Sequence, residues 1–270
     1  MIAILSLLGL AFAGSLFVGT VDDDHITGTD DADRVDGDAG NDTILGLDGD
    51  DTLFGNDGDD SLRGNWGDDD LRGGLGNDYL QGDQGNDSIR GFDGDDWLEG
   101  NKGDDTLRGN MGNDFLSGGE GMDSILGDMG NDTIHGGRDA DYIEGDDGDD
   151  ADIDMLDGGE GDDALVGRIG DMLMGGAGAD DFAVFSDATG PATFQDFSPE
   201  EDGIVVLYSG TLPTFADITL TDGAGGVEVS KGGNVIALIE GQTAAALSEG
   251  MFSFLDAANL GSLADATIHG

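Results

Sequence analysis

An aliphatic residue returns every nine residues along most of the chain, and the positions between are mainly polar or glycine. The repeating unit reads G-x-x-G-N/D-D-x-L/I-x, as in Gly73–Gln81 and Gly37–Leu45. Units run in unbroken register from Gly28 to Glu144, and their eighth position is always aliphatic. Nine residues hold one tight turn and one short strand, so each unit is predicted to point its eighth side chain inward and its seventh and ninth outward.

Two such units are predicted to form one coil of eighteen residues, with two parallel sheets facing each other across a thin aliphatic core. Glycines at positions one and four are expected to supply the positive φ of a tight turn. Asn or Asp at position five also tolerates such conformations. The predicted fold class is all-β: a parallel β-roll, or β-solenoid, of about nine coils and roughly 40 Å in length.

The pattern divides the chain into three segments. Residues 1–18 form an apolar segment without a charged side chain, and residues 19–180 hold the repeats. Residues 181–270 contain all three prolines and more β-branched and aromatic residues, which predicts a small C-terminal β-rich cap. Residues 1–19 are interpreted either as an export signal or membrane anchor, or as an apolar cap on the first coil.

The chain has 60 acidic and 9 basic residues, a formal net charge of −51. This balance argues against a nucleic-acid partner, because phosphate recognition needs a basic surface. The absence of cysteine excludes disulfides, thiolate metal sites and a cysteine nucleophile. The three histidines lie far apart in sequence, and neither HExxH nor an EF-hand loop is present. We therefore predict a protein that is not an enzyme.

Position six is Asp in every unit of the unbroken block. Stacked coils bring these carboxylates close together, where like charges repel. One aliphatic residue per unit contributes about 1.5–3 kcal/mol, whereas ordering the backbone costs about 1–2 kcal/mol per residue. A cation must therefore supply stability. Calcium fits, since it takes six to eight oxygens from carboxylates and carbonyls in loose geometry, unlike magnesium or zinc.

These units resemble the GGxGxDxUx nonapeptide repeats of the RTX, or haemolysin-type, calcium-binding proteins. The resemblance implies a calcium-dependent roll with multiple calcium ions between turns two units apart. Backbone carbonyls at positions one to four and the position-six Asp of both turns would bind them, pairing for example Asp42 with Asp60. The implied metal ligands are Asp33, Asp42, Asp51, Asp60, Asp69, Asp78, Asp87, Asp96, Asp105, Asp114, Asp123, Asp132, Asp141, Asp150, Asp163 and Asp180.

Irregular units are expected to disturb some of these sites. The unit that opens at Gly145 is stretched to thirteen residues, and the unit at Gly167 has only eight. Counted from Gly167, Asp171 falls at position five, so no site is expected there. Position four is Asp instead of Gly at Asp31 and Asp139.

The segments Asp180–Phe185, Phe194–Phe197 and Met251–Phe254 resemble the C-terminal region of type I secreted proteins of the same family. The resemblance implies a secreted, extracellular protein, with cell-surface anchoring as the alternative, and the type I secretion machinery as a candidate partner. The predicted function is calcium-coupled folding without catalysis. The alternative is a calcium-dependent adhesin or surface-layer component that binds glycan or the cell envelope. Membrane contact is expected only through residues 1–19.

Two outward columns repeat every eighteen residues. One holds the aromatic residues Tyr79, Trp97 and Phe115 at position seven, and the other holds arginines at position nine: Arg72, Arg90 and Arg108. The aromatic column is interpreted as packing along the sheet or as a patch for a glycan or partner. The arginine column is interpreted as local charge balance or as an anion-binding stripe.

Overall fold

A computed structural model describes residues 15–145, 152–186 and 190–257. Within these ranges the chain is built from short β-strands with two single-turn 3-10 helices, Phe215–Asp217 and Glu249–Met251. The residues fall into two compact units, Met1–Thr133 and Ile134–Gly270. This division lies inside the repeat block, so the boundaries expected after residues 18 and 180 remain predictions.

The strands of the first unit are β1 (Leu16–Val18), β2 (His25–Thr27), β3 (Arg34–Asp36), β4 (Thr43–Asp48), β5 (Thr52–Asp57), β6 (Ser61–Trp66), β7 (Asp70–Leu75), β8 (Tyr79–Gln84), β9 (Ser88–Asp93), β10 (Trp97–Lys102), β11 (Thr106–Met111), β12 (Phe115–Glu120) and β13 (Ser124–Met129). Strand β14 (Thr133–Arg138) begins at the last residue of this unit.

The second unit continues with β15 (Tyr142–Glu144), β16 (Met155–Glu160), β17 (Ala164–Gly167), β18 (Met172–Ala177), β19 (Asp181–Phe185), β20 (Ala192–Phe194), β21 (Gly203–Tyr208), β22 (Ile218–Asp222), β23 (Gly226–Lys231), β24 (Asn234–Glu240) and β25 (Phe252–Asp256).

Successive strands of the first unit alternate between two parallel sheets. The odd-numbered strands β1 to β13 form one sheet and the even-numbered strands β2 to β12 form the other. Paired residues are eighteen positions apart, as in Leu53 with Leu71 and Leu80 with Leu98. The predicted coil of two nine-residue units is therefore confirmed, and the fold is an all-β parallel β-solenoid.

The strands are longer than the unit pattern predicts. Most have six residues, because pairing continues from positions seven to nine into positions one to three of the next unit, as in Ser61–Trp66. The expectation of positive φ at position one is therefore wrong, because that glycine lies inside the strand. Position two takes the left-handed conformation instead, as in Asn65 (φ 83°), while position-four glycines have the expected positive φ, as in Gly67 (φ 126°).

The position-eight aliphatic side chains form the core of the first unit. Residues from both sheets, such as Ile44 and Leu53, have no exposed surface. Strands in which one face is buried and the other meets solvent need this alternation of inward and outward side chains. The repeat therefore produces a thin core, one aliphatic layer from each sheet.

The core of the second unit gains aromatic residues. Leu156, Leu165 and Leu173 continue the aliphatic row. Phe182 lies 4.8 Å from Phe194 and 5.6 Å from the ring of Phe197, measured between centroids. Three large rings bury more apolar surface than three aliphatic residues, so this part of the core is more apolar than the aliphatic rows of the repeats.

Both sheets of the second unit change after the last repeats. The even sheet runs β14-β16-β18-β20-β24 and ends in β23 and β22, which pair in antiparallel fashion. The odd sheet runs β15-β17-β19-β21 and ends in β25, which pairs with β21 in parallel. These strands agree with a β-rich C-terminal segment, while its role as a cap remains a prediction.

Candidate metal-binding site

The position-six aspartates form ladders along the turns. In the first unit the backbone N–H of every ladder aspartate from Asp24 to Asp114 donates to Oδ1 of the aspartate eighteen residues further on, over 2.7 or 2.8 Å. One ladder contains Asp24, Asp42, Asp60, Asp78, Asp96, Asp114 and Asp132, and the other contains Asp33, Asp51, Asp69, Asp87, Asp105 and Asp123. The expected approach of Asp42 to Asp60 and of Asp51 to Asp69 is thus observed.

The second unit holds two further ladders. The backbone N–H of Asp141 donates to Oδ1 of Asp163 over 2.8 Å, and the backbone N–H of Asp163 donates to Oδ1 of Asp180 over 3.0 Å. Asp180 donates in turn to Asp202 over 3.1 Å. Of the sixteen implied ligands, only Asp150 lies outside the described residues.

Sequence reasoning missed four aspartates that occupy ladder positions: Asp24, Asp154, Asp171 and Asp202. Asp154 donates its N–H to Asp171 Oδ1 over 3.0 Å, so the short unit keeps its place in the ladder, contrary to expectation. Each of the four is followed two residues later by a large apolar residue, as Asp171 is by Leu173. The spacing Asp-x-apolar would have found them, because it counts from the buried side chain and not from the glycine.

The second oxygen of the ladder carboxylates has a different environment. Oδ2 is buried and has no hydrogen-bond partner within the described ranges at Asp42, Asp51, Asp60, Asp69, Asp78, Asp87, Asp96, Asp105, Asp114 and Asp163. At the N-terminal end, by contrast, Asp24 Oδ2 accepts the backbone N–H of Thr20 and Asp33 Oδ2 that of Thr29, both over 2.6 Å. Along most of the ladders, therefore, each carboxylate has one paired and one unpaired oxygen.

The position-one glycine explains how a carboxylate fits inside the turn. A Cβ built on Gly73 would lie 2.1 Å from Asp78 Oδ2 and 2.9 Å from the carbonyl oxygen of Gly91. The carboxylate and a carbonyl of the next coil therefore occupy the space that a side chain would fill. Glycine is required here for close approach of oxygens and not for its φ.

Burial makes these carboxylates hard to ionise. It raises the pKa of Asp69, Asp96 and Asp105 to about 8, and the pKa of Asp78 to about 7. Removal from water is the largest cause, the N–H from the preceding coil partly offsets it, and neighbouring ladder carboxylates raise the pKa further. At neutral pH these carboxylates therefore ionise only at a cost in free energy, which a bound cation would offset.

A second, exposed ladder runs through position five. Asp59 donates its N–H to Asn41 Oδ1 over 3.1 Å, and Asn77 donates to Asp59 Oδ1 over 2.9 Å. The direction is opposite to that of the buried ladder, since each N–H now points to the preceding coil. Met122 donates to Asp104 but has no side-chain oxygen to continue the series.

These oxygen atoms are suitable ligands for a hard cation. The unpaired groups are carboxylate oxygens, and the neighbouring polar atoms are backbone carbonyls, which are the ligands calcium prefers. No cluster of three or more His, Cys, Asp or Glu side chains converges on one point in the described part of the chain. Each turn contributes one buried carboxylate, so the position-six aspartates would hold calcium together with carbonyls of the glycine turns.

The two outward columns of the first unit are placed as expected. Trp97 pairs in register with Tyr79 and Phe115, with ring centroids 6.4 Å and 4.2 Å apart. Glu99 accepts the Trp97 indole N–H and the Tyr79 hydroxyl, each over 2.9 Å. The Trp97 and Phe115 rings thus pack against each other, as the packing interpretation predicts.

The described residues contain no helix that could span a lipid bilayer. Comparison with curated proteins finds no match. Among solved structures, the extracellular lipase LipA from Serratia marcescens matches 90% of this chain at 16% identity with a TM-score of 0.29. The chain spans 40% of that lipase, and so low a TM-score supports no inference about fold or activity.

A family model described as RTX calcium-binding nonapeptide repeat matches residues 16–44, 45–80, 72–107, 90–125, 117–152 and 150–171. These matches together cover residues 16–171, more than half of the 270-residue chain. They coincide with the glycine turns and aspartate ladders described above. The chain therefore belongs to the family of RTX calcium-binding nonapeptide repeats.

Proposed function

We propose that this protein is a secreted, non-catalytic β-roll that folds when it binds several calcium ions outside the cell. The observation that carries the proposal is the row of buried Oδ2 atoms without hydrogen-bond partners in the described ladders. A buried carboxylate keeps its negative charge only when it is paired or bound to a metal. The family match to calcium-binding repeats supports calcium as that metal.

The coupling between calcium and folding follows from electrostatics. Residues 19–180 carry 47 acidic and 8 basic residues, a net charge of −39. Without a counter-ion, stacking the coils concentrates this charge, and repulsion favours the open chain. Each ion that binds only the folded form adds RT ln(1 + [L]/Kd) to its stability. A rise in calcium at export would thus drive folding.

Secretion and the lack of catalysis are parts of the same proposal. An open chain at low calcium and a folded one at high calcium suit export through a type I secretion machinery. Paired carboxylates can serve in catalysis, but here the ladders explain them as metal ligands. The three histidines are separated from one another by more than a hundred residues in the sequence. A broad hydrolase screen on the calcium-loaded protein is expected to find no activity.

Circular dichroism of the full chain tests the proposal. In about 1 mM calcium we expect a β-sheet spectrum and a cooperative thermal transition, and in chelator the loss of both. Magnesium at the same concentration is the control, because its octahedral geometry suits these turns poorly. Isothermal titration gives the number of ions. Equal β content with calcium and with chelator would contradict the proposal.

The alternative is a calcium-dependent adhesin or surface-layer component. The exposed rings of Tyr79 and Trp97, 38% and 43% accessible, are the feature that favours it. A pull-down on cell-surface glycans, with and without calcium, separates the two functions. Under this alternative Trp97→Ala should weaken adhesion while calcium binding survives, and unchanged adhesion would remove the aromatic column as the binding patch.

A further inference from the structure

The second outward column carries an unusual concentration of positive charge for so acidic a chain. Arg72, Arg90 and Arg108 are paired in register on β7, β9 and β11 of the odd sheet. Parallel strands lie about 4.8 Å apart, so three guanidinium groups follow one another on the outer face. Like charges at this spacing repel unless each has a counter-ion.

Two of these arginines have a carboxylate partner. Arg72 Nη2 lies 2.6 Å from Asp70 Oδ2, and Arg72 Nε lies 3.1 Å from Asp70 Oδ1. Arg108 Nη2 lies 2.8 Å from Asp128 Oδ1, and its Nε also contacts that carboxylate. Both pairs are bidentate, the geometry that Arg forms best with carboxylates.

The partners occupy two defined places relative to the arginine. Asp70 lies two residues before Arg72, whereas Asp128 lies twenty residues after Arg108. On the even sheet Arg63 uses the second place, where Asp83 follows it by twenty residues. A carboxylate at either place is therefore sufficient to neutralise an arginine on these faces.

Arg90 has a neutral residue at both places. Two residues before it stands Ser88, and twenty residues after it stands Asn110, whose amide donates to Asp128 over 2.6 Å. Within the described ranges Arg90 forms no hydrogen bond or ion pair, although it is half-buried. Its guanidinium group thus lies between two neutralised arginines and beside a hydroxyl, with its own charge uncompensated.

A shallow hollow of about 400 Å³ lies beside this row. The apolar residues that line the hollow are Phe54, Leu75 and Phe92. Gly74 and Arg72 also line it. Phe92 takes a left-handed φ of 81° at a position where most units have Asn, Asp or Gly, and its ring is 39% exposed. Asp57 and Asp93 also line the hollow and Arg90 does not, so only an uncharged, apolar part of a ligand held at Arg90 would extend toward these rings.

We propose that Arg90 is the centre of an oxyanion site that takes a sulfate or carboxylate group, with Ser88 and Asn110 as neighbouring polar groups. The site lies on the outer sheet face and uses no ladder aspartate. It therefore goes beyond the proposed calcium function, and its failure would leave that function untouched.

The test uses the full chain in calcium, with inorganic sulfate and dextran sulfate as probes and uncharged dextran as the control. Nuclear magnetic resonance follows the Arg90 Nε–H signal, and isothermal titration measures affinity. We expect a saturable shift of that signal with sulfate. A response to both probes assigns the site to the free ion as well, and a response to dextran sulfate alone assigns it to groups carried on a polymer.

Asn110→Asp is the sharpest variant. It supplies a carboxylate at the place that Asp83 and Asp128 occupy for Arg63 and Arg108, where the backbone already takes a positive φ. It also removes the amide that donates to Asp128, so repulsion by Asp128 favours a carboxylate at position 110 that turns toward Arg90. We expect it to pair with Arg90 and to lower the affinity for dextran sulfate about tenfold, the value of one charge-assisted contact. Arg90→Gln should lower affinity by a similar factor.

Arg63→Gln is the matched control, since it also removes one positive charge but from the other sheet. Circular dichroism in calcium establishes that each variant is folded. Equal weakening by Arg63→Gln and Arg90→Gln would mean general attraction and overturn the site. Unchanged binding in Asn110→Asp and Arg90→Gln, or no Arg90 shift with either probe, would overturn it as well.

Discussion

The backbone N–H of Asp60 donates to Oδ1 of Asp78 over 2.8 Å, although the two residues are eighteen positions apart and both carry a carboxyl group. Each ladder aspartate is thus an acceptor for one coil and a donor to the next. The hydrogen bond uses one carboxylate oxygen and leaves Oδ2 of Asp78 buried. Stacking of the coils and the demand for a cation therefore come from the same side chain.

Replacing one ladder carboxylate should separate these two roles. In Asp78→Asn the amide oxygen keeps the N–H bond from Asp60, while the buried charge is lost. We expect calcium-loaded stability to fall by about 2 kcal/mol, the scale of one charged contact, and the metal-free chain to be no less ordered. Thermal unfolding with calcium and with chelator measures both effects.

Asp59→Asn is the matched control for this substitution. Asp59 lies in the exposed position-five ladder, where Asn41 and Asn77 serve the same role. We expect no change in calcium affinity. An equal loss in both variants would mean that net charge, and not the buried ladder, determines affinity.

The metal-free chain should become less stable as pH rises. Burial raises the pKa of Asp69 and Asp105 to about 8 in the folded state, against about 3.9 in an unfolded chain. The folded form binds more protons, so this contribution is fully present below about pH 4 and is lost as pH rises through about 8. Circular dichroism in calcium-stripped buffer from about pH 5 to about pH 8 should show a falling folded fraction.

Calcium should invert this dependence, since it binds the deprotonated carboxylates. Calcium affinity is expected to rise across the same pH range. A metal-free folded fraction that stays constant or increases with pH would contradict the role assigned to the buried carboxylates.

A methyl group at position four should prevent stacking of the turns. Gly58 has a φ of 141°, and a Cβ there would lie 2.1 Å from the carbonyl oxygen of Gly40. We expect Gly58→Ala to cost about 3 kcal/mol or more, since strain at such a φ alone costs about 1–3 kcal/mol. Gly225→Ala is the control, because nothing lies within 4 Å of its Cβ. Calcium titrations of both variants, followed by circular dichroism, should show a raised midpoint only for Gly58→Ala.

Substitutions at the inward-facing position eight should destabilise the protein, and substitutions at outward-facing positions should have little effect on its stability. Leu80 has no exposed surface, and its loss to Ala should cost about 2–5 kcal/mol through the cavity it leaves. Leu75 is 52% exposed on the outer face, so Leu75→Ala should change stability by less than about 0.5 kcal/mol. Chemical unfolding in calcium compares the two. Similar losses would contradict the assignment of inward and outward positions.

Several features of the molecule follow from the linear pattern alone. The nine-residue period places Leu53 over Leu71 and Asp51 over Asp69, because contacts in a solenoid join residues one coil apart. The period therefore predicted the two sheets, the aliphatic core and the approach of the carboxylates. It also led to the family through the invariant Asp of position six.

Other features depend on the stacked coils. The glycine pattern assigned Gly73 to a turn, whereas Gly73 lies inside strand β7. Glycine is needed there because the Asp78 carboxylate and the Gly91 carbonyl fill the space of a side chain. The eight-residue unit seemed to displace Asp171, but burial of Leu173 restores its alignment with Asp154. A count along the chain misses this because the buried side chain, and not the glycine, determines the register.

The period, the inward row and the carboxylate at each turn can be read from the linear pattern, since these repeat locally in every unit. Which groups lack a partner depends on the stacking of the folded coils. The unpaired Oδ2 of Asp78 and the uncompensated charge of Arg90 depend on what stands one coil away. A side chain finds its partner on a neighbouring coil, because stacking of the coils brings together residues that are eighteen or twenty positions apart in the sequence.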